Sequence, residues 1–511
     1  MSKVKLIRNS LSGTVQVLLT AILTLLSVPV FINTLGLELY GAFSVVTVVG
    51  NLNFIVNFGL NSALLVYVAK QGKCRESDLD IAVTRTLLVF LIFVISIIVF
   101  LLGRVIIKDI LKIPDGYLKE STTLFYLLII SNAVLLLGQI NTAILDALQK
   151  IHITNACQFI YSLIYWVGII TVVKMGGRLP EVGLMALSAS IIWFIILSII
   201  SRKTWGKSDI KGFWHEFLRV AKKQITFGIK IYMTGLIGFL FEPLSKLLLS
   251  NFIGLNAVGL YEIGLKVKGQ LYSIFSKALY PLVPFIAHFE NKKILKARLF
   301  DLSKILVLIA IPVSITLAFT LTILVKLWIG SENYIDASIF VISQTMMVLL
   351  FSFPIVPIYQ FLIATNKAEK NILIQLLNVI VNLVLFFGLF RTYGMYTIII
   401  SNLGGYLASF ALGNYYQKLF LGAKYFDERF YYLKMFILGL ICTITCLGIS
   451  HFIGHSLLDL IIYPSVIIGV FVLFTRIFRL ITEGELNFYF ASMLNLRLFL
   501  KRIFIVQGKA S

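Results

Sequence analysis

Apolar runs of about twenty residues recur along the whole chain, and a run of that length is what a helix needs to cross a bilayer's hydrocarbon core. Several such runs in one chain leave few folds open. Backbone polar groups in lipid must be satisfied within the element, so the spans are helices or the strands of a closed barrel. A barrel would show segments of about ten residues with alternating polarity, and no such segments occur. Composition agrees, with 59% of the 511 residues hydrophobic and only 13% charged. The first run, near 11–34, is too long for a signal-peptide core and lacks a small-residue cleavage site, so it counts as a span. The expected fold is an all-α polytopic membrane protein with about fourteen transmembrane helices.

The first six spans fall near 13–34, 41–66, 83–106, 122–146, 153–174 and 181–200. After the basic stretch "SRKTWGKSDIKGFWHEFLRVAKK" at 201–223, six more lie near 225–250, 257–287, 303–327, 337–364, 371–390 and 395–416. Two final spans are expected near 435–452 and 457–476. The eighth span holds Glu262, Lys266, Lys268 and Lys277, and hydropathy alone would reject it.

An internal repeat retains it. "LGLELYGAF" at 35–43 and "IGLNAVGLY" at 253–261 place glycine, leucine, glycine and an aromatic at the same spacing. Gly36 and Gly41 join span one to span two, and Gly254 and Gly259 are expected to join seven to eight in the same way. Internal similarity of this kind marks a duplicated architecture. Copies offset by six spans keep the same orientation, which makes them parallel repeats about an axis along the membrane normal. The domains expected are a six-helix lobe at 1–200, a basic interfacial linker at 201–223, a second six-helix lobe at 224–416, two extra helices within 417–476 and a basic tail at 477–511.

The net charge of +22 fits this plan. With a cytoplasmic N-terminus, the inside segments collect Lys3, Lys5, Arg8, Lys70, Lys73, Arg75, Arg85, the linker, the loop "ENKKILKARLFDLSK" at 290–304 and the tail. The outside loops at 36–40, 251–256 and 452–456 hold no Lys or Arg. That asymmetry is the positive-inside pattern, and both termini are expected in the cytoplasm. The charge therefore describes orientation and not nucleic-acid binding. Trp205, Phe213, Trp214 and Phe217 among the linker's basic residues suggest a helix on a leaflet of anionic lipids.

Motifs of soluble enzymes are missing. The sequence has no Walker loop, GxSxG or HExxH, and Cys74, Cys157, Cys442 and Cys446 make no metal or redox spacing. His451 and His455 lie one turn apart near an outside loop, a pairing that chance produces often. No catalytic residue, metal or cofactor is expected.

The informative residues are charges within spans. Span seven holds Lys230, Glu242 and Lys246, and span eight holds Glu262, Lys266, Lys268 and Lys277. At about 100° per residue, Glu262, Lys266, Gln270, Ser273 and Lys277 share one helical face, with Lys268 off it. Such residues normally face a bundle interior or a wet cavity. The plain alternative is i,i+4 pairing of Glu242 with Lys246 and of Glu262 with Lys266, with Lys230 and Lys277 reaching an interface. Five lysines against two carboxylates leave the region positive, which suits an anionic guest. Lys246, Lys266 and Lys277 are the leading cavity candidates. In span two, Asn53, Asn57 and Asn61 form a stripe suited either to sugar hydroxyls or to interhelical hydrogen bonds. Asn132, Gln139, Asn141, Asn378 and Asn382 are weaker instances. Pro29 and Pro243 in the paired spans one and seven are expected kinks or hinges, as are Pro281, Pro284, Pro354 and Pro357.

The order "VPVFINTLGLELYGAFSVV…FGLNSALLVYVAK", together with "IGLNAVGLYEIGLKV", resembles bacterial polysaccharide flippases of the Wzx type. These belong to the multidrug/oligosaccharidyl-lipid/polysaccharide exporter superfamily. The resemblance covers the plan of about residues 10–416 and rests on glycine and aromatic positions that are silent on substrate. It implies two six-helix lobes forming a V around a central cavity. It also implies transfer of an undecaprenyl-pyrophosphate-linked oligosaccharide across the inner membrane by alternating access, for O-antigen or related surface polysaccharide. The cationic cavity of such flippases matches the lysines of spans seven and eight. A proton or sodium gradient is the candidate coupling source, and the polysaccharide polymerase machinery a candidate partner. A lipid II flippase shares the span count and a cationic cavity. A multidrug/cation antiporter of the same superfamily would want an acidic cavity. A membrane glycosyltransferase or ligase would want a large outside loop with catalytic carboxylates, and the 107–121 loop offers only Asp109, Asp115 and Glu120.

Overall fold

The computed structural model describes residues 3–50, 57–279, 292–330, 332–365, 367–422, 429–451 and 457–481. These residues form α1 (Lys3–Leu35), α2 (Leu37–Gly50), α3 (Leu60–Gln71), α4 (Arg75–Val105), α5 (Asp115–Ala147), α6 (Ile151–Lys174), α7 (Leu179–Trp205) and α8 (Phe213–Phe252). They continue as α9 (Leu255–Leu279), α10 (Lys292–Ile329), α11 (Tyr334–Met347), α12 (Val356–Ala364), α13 (Ala368–Tyr393), α14 (Thr397–Leu421), α15 (Arg429–Ser450) and α16 (Asp459–Ile477). No strand occurs among the described residues.

Among the described residues, ten helical segments are long and apolar enough to cross a membrane, one of them, Glu369–Leu421, spanning α13 and α14. The chain is a multi-pass membrane protein. Expected spans two and eight are not among the ten segments. Span two is divided into α2 and α3, with 51–56 outside the described residues and a turn at 57–59. Span eight is the helix α9, whose Glu262, Lys266 and Lys268 lower its hydropathy, and span seven lies within the continuous helix α8. The lipid-facing surface is apolar, as α4 shows with Phe90, Phe93, Phe100 and Leu101 all more than 60% exposed. On a water-soluble protein so large a patch would be an association surface.

Two reversals in the chain are nearly loopless. Gly36, with φ of +83°, is all that separates α1 from α2, and Gly254, with φ of +126°, closes α8 onto α9. Both angles lie where glycine alone is unstrained. Phe31 of α1 packs on Tyr40 and Phe43 of α2 at centroid distances of 5.7 and 4.7 Å, which fixes the first hairpin.

The helices group into two compact units, Met1–Ala278 with Phe387–Ile398, and Leu279–Phe386 with Ile399–Ser511. In the first, Leu60 and Leu64 of α3, Leu88 of α4, and Ile140 and Ile144 of α5 form one core with Trp205 at the end of α7. A second core joins Leu145 and Cys157 to Trp193 and Leu197. α7 begins where the Glu181 carboxylate accepts the Arg178 main-chain N–H at 2.8 Å, with Pro180 in the first turn.

The expected linker is not one surface helix. α7 runs on to Trp205, seven residues turn, and α8 starts at Phe213 and continues unbroken through span seven to Phe252. The Asp78 carboxylate ties the turn down by accepting from Trp205 Nε1 at 2.6 Å and from the Asp209 N–H at 2.8 Å.

In the second unit, Leu295 and Leu299 of α10 pack with Ile358, Phe361 and Leu362 of α12 and with Ile374 and Tyr416. Cys442 and Cys446 are core residues here, set among Leu308, Leu438, Tyr463 and Ile467. Span ten breaks at its prolines, since α11 ends in a π turn at Val348–Ser352 and a 3-10 turn at Phe353–Ile355 before α12 restarts with Pro357 in its first turn. Pro29 and Pro243 instead sit inside continuous helices, and Pro281 and Pro284 lie outside the described residues.

Candidate functional site

The charges of spans seven and eight meet within the first unit. Because α8 and α9 form a hairpin about Gly254, residues at similar distances from the turn face each other. Lys246 Nζ reaches Glu262 Oε2 at 2.6 Å, and Lys268 Nζ reaches Glu242 Oε1 at 2.6 Å. The other oxygen of Glu262 takes Lys266 at 3.0 Å, the i,i+4 pair expected from sequence.

The second expected pair, Glu242 with Lys246, is not the one formed. Glu242 and Lys246 each take a partner across the hairpin instead. Lys268, off the lysine stripe, becomes a buried partner of Glu242, with 7% of its side chain exposed.

Lys246, Glu262 and Lys266 make a triad of two cations on one carboxylate, so one positive charge is left over. Lys246 and Glu262 are buried, whereas a quarter of the Lys266 side chain is exposed. A lone charge in this setting would cost several kcal/mol, and sharing Glu262 offsets much of that cost. The surplus charge therefore sits on Lys266.

Lys266 borders a cavity of about 200 Å³ lined by Phe43 and Thr47 of α2, Ser131 and Asn132 of α5, Tyr161, Tyr165 and Trp166 of α6 and Ala186 of α7. Its ammonium lies 5.7 Å from the Trp166 ring centre, within cation–π range. Tyr161 and Tyr165 stack at 5.8 Å with their planes 24° apart. Ser131 Oγ donates toward the Ala186 carbonyl at 3.1 Å, which holds α5 against α7 at the cavity wall. Apolar rings with a few convergent polar groups and one cation are the usual make-up of a small-molecule site. An ammonium supplies a point charge for an anionic group, and aromatic faces supply flat apolar area.

The remaining sequence candidates are placed as follows. Asn57 Nδ2 and Asn61 Nδ2 both donate to Gln139 Oε1, at 3.3 and 2.8 Å, so the asparagine stripe joins α3 and the turn before it to α5. Asn53 lies outside the described residues. Gln270 is half-buried on α9, and Lys277 belongs to α9 with its side chain outside the description, as is that of Lys230 on α8. Asn132 does line the cavity.

Tyr161, Tyr165 and Trp166 were not singled out by sequence reasoning. Their one signal was the stretch "YSLIYW", which sets two tyrosines one turn apart.

Gly41 and Gly259 have a role beyond the turns. A β-carbon on Gly41 would stand 2.0 Å from the Leu255 carbonyl oxygen, and one on Gly259 would stand 2.7 Å from that of Leu37. The two repeat hairpins thus touch main chain to main chain.

Comparison with known proteins agrees with this architecture. The lipid II flippase MurJ, in an inward closed conformation, superposes with a TM-score of 0.72 over 94% of this chain and 99% of its own, at 16% identity. An inward-facing multidrug resistance MATE family transporter of the MOP superfamily follows with 0.62 over 79% and 94%, at 12% identity. The MATE multidrug transporter DinF-BH gives 0.60 over 83% and 98%, also at 12% identity. These likenesses establish a shared fold. No curated protein matches the sequence. The family model described as polysaccharide biosynthesis protein matches residues 6–288, which take in both glycine hairpins and the lysine triad, and the chain belongs to that family.

Proposed function

We propose that this protein flips an undecaprenyl-pyrophosphate-linked oligosaccharide from the inner to the outer leaflet of a bacterial cytoplasmic membrane by alternating access. It serves assembly of O-antigen or a related surface polysaccharide, as a transporter and not an enzyme. The observation that carries the reading is the surplus charge of the Lys246–Glu262–Lys266 triad, presented by Lys266 beside Tyr161, Tyr165 and Trp166. A diphosphate needs a cation within the membrane, and sugar rings need flat apolar faces with polar rims. Both lie within one cavity. A proton or sodium gradient drives the cycle, and the polymerase machinery receives the product.

One observation favours a second reading. The superposition on the lipid II flippase MurJ covers nearly all of both chains, and a disaccharide-peptide on the same lipid diphosphate would meet the same triad. A multidrug/cation antiporter is disfavoured because the surplus charge is positive.

Complementation separates the readings. The chain is expressed in cells lacking a polysaccharide repeat-unit flippase and, separately, in cells depleted of the lipid II flippase. Restored surface glycan in the first and no rescue in the second is the expected result. Rescue of growth in the second alone would replace the first reading. In the complementing host, Lys266→Glu at normal expression should abolish display, and normal display would remove Lys266 from the site.

A further inference from the structure

A second basic cavity lies well apart from the triad in sequence, where the C-terminal end of α3 meets the N-terminal end of α8. Tyr67, Arg219, Lys222, Lys223, Thr226 and Phe227 line an open groove of about 450 Å³. We propose that this groove holds the phosphate of a lipid headgroup at the membrane surface.

The groove is built and not accidental. Its floor is the Tyr67–Phe227 ring pair at 5.4 Å. Lys223 Nζ stands 4.0 Å from the Tyr67 ring centre and 3.1 Å from Asp80 Oδ2. Asp80 is 1% exposed and also accepts from Gln224 Nε2 at 3.2 Å, so a buried carboxylate fixes the direction in which Lys223 leaves α8. Arg219 Nε bonds Glu216 Oε2 at 2.6 Å, with 69% of the arginine side chain exposed. That bond uses one of the five guanidinium donors. Lys222 is exposed. The groove lining itself holds three cations and no carboxylate, with Asp80, Glu216 and Glu76 set behind Lys223 and Arg219, so Lys222 and the free edge of Arg219 are what the groove presents.

The surroundings name a lipid. Trp214 and Leu218, one turn apart on α8, are 80% and 79% exposed, and Ile225 and Ile229 continue the same stripe into the span at 40% and 42%. An exposed tryptophan and leucine at the start of a membrane helix belong at the lipid interface. This sets Arg219 and Lys222 at headgroup depth, where each cation attracts anionic lipid. A phosphodiester of a resident phospholipid and the diphosphate of the carrier lipid share that chemistry. In the second case the groove is where the substrate loads, an arm that rests on the flippase reading. The headgroup site itself does not.

The full chain in nanodiscs of phosphatidylcholine would be titrated separately with phosphatidylglycerol and with undecaprenyl diphosphate, with bound lipid read by native mass spectrometry. The Arg219→Gln/Lys222→Gln double variant should lose roughly tenfold or more in affinity for at least one probe. Lys119→Gln, an exposed cation at the other end of the bundle, should change neither. Loss for phosphatidylglycerol alone establishes a resident-lipid site, and loss for undecaprenyl diphosphate establishes a loading site. Unchanged affinity for both probes, or no binding of either by the unaltered chain, overturns the proposal. Lys222→Gln alone gives the same readout with a smaller loss should the double variant fail to fold. Lost phosphatidylglycerol binding together with failed complementation would keep the headgroup site and reject the flippase reading.

Discussion

Gly41 and Leu255 meet backbone to backbone, in the two copies of one repeated hairpin. The space for a β-carbon on Gly41 is taken by the Leu255 carbonyl, and Gly259 meets the Leu37 carbonyl in the reciprocal way. The second glycine of each repeat is therefore a contact residue as well as part of the turn. The first glycines, Gly36 and Gly254, set the turns through their positive φ. A repeat that reads as two independent turns is one clasp made of two equal halves.

Alternating access would have to open this clasp. Cysteines at Leu37 and Leu255 are expected to crosslink readily in the resting protein, to stop transport, and to restore it on reduction. Gly41→Ala should lower crosslinking yield, since a methyl cannot fit at 2.0 Å from main chain without displacement. Full transport with the crosslink in place would show that the clasp is static.

Much of this architecture was legible because it follows from local rules. Span length, the glycine spacing and the i,i+4 pair Glu262–Lys266 need only helix geometry. Lys246–Glu262 and Glu242–Lys268 needed the register of a packed hairpin, which the glycine spacing around Gly254 does not supply by itself. The cavity aromatics were hidden because Tyr161, Tyr165 and Trp166 lie in an apolar span, where an aromatic facing lipid and one facing a cavity look alike. Asn57 and Asn61 showed the opposite difficulty. Their stripe was visible, but its partner Gln139 lies on a helix that spacing cannot place.

Glu262 holds two lysines, so its loss should exceed that of either partner. Glu262→Gln is expected to leave Lys246 buried without its counter-charge and to cost about 3–5 kcal/mol. Lys246→Met leaves Glu262 with Lys266 and should cost less. The thermal unfolding midpoint of purified protein checks the order. The pair Lys246→Met/Glu262→Gln should recover part of the loss, and simple additivity would show that the two side chains are not coupled.

The aromatic wall should matter to transport and little to folding. Trp166→Ala or Tyr165→Ala is expected to reduce surface glycan about tenfold at unchanged expression, on the scale of one lost stacking contact of about 1.5 kcal/mol. Trp166→Phe keeps a flat ring and should retain most of the activity. Equal losses in both tryptophan variants would point to a role for the indole N–H in place of the ring face.

Orientation can be read from the two ends of one helix. α7 runs from Leu179 to Trp205, 27 residues, which is about 40 Å of helix and enough to cross a bilayer with its headgroups. Met175 just before it is 82% exposed, and Lys207 just after it lies in the basic turn held by Asp78. The positive-inside pattern assigns that turn to the cytoplasm. Cys74 is the one native cysteine that is not buried, so a Cys74→Ser background removes the competing thiol. In that background Met175→Cys should react with an impermeant maleimide in intact cells, and Lys207→Cys only after permeabilisation. The reverse pattern would invert the protein, along with the side on which its substrate loads. Labelling of both from the same side would mean that α7 does not cross the membrane.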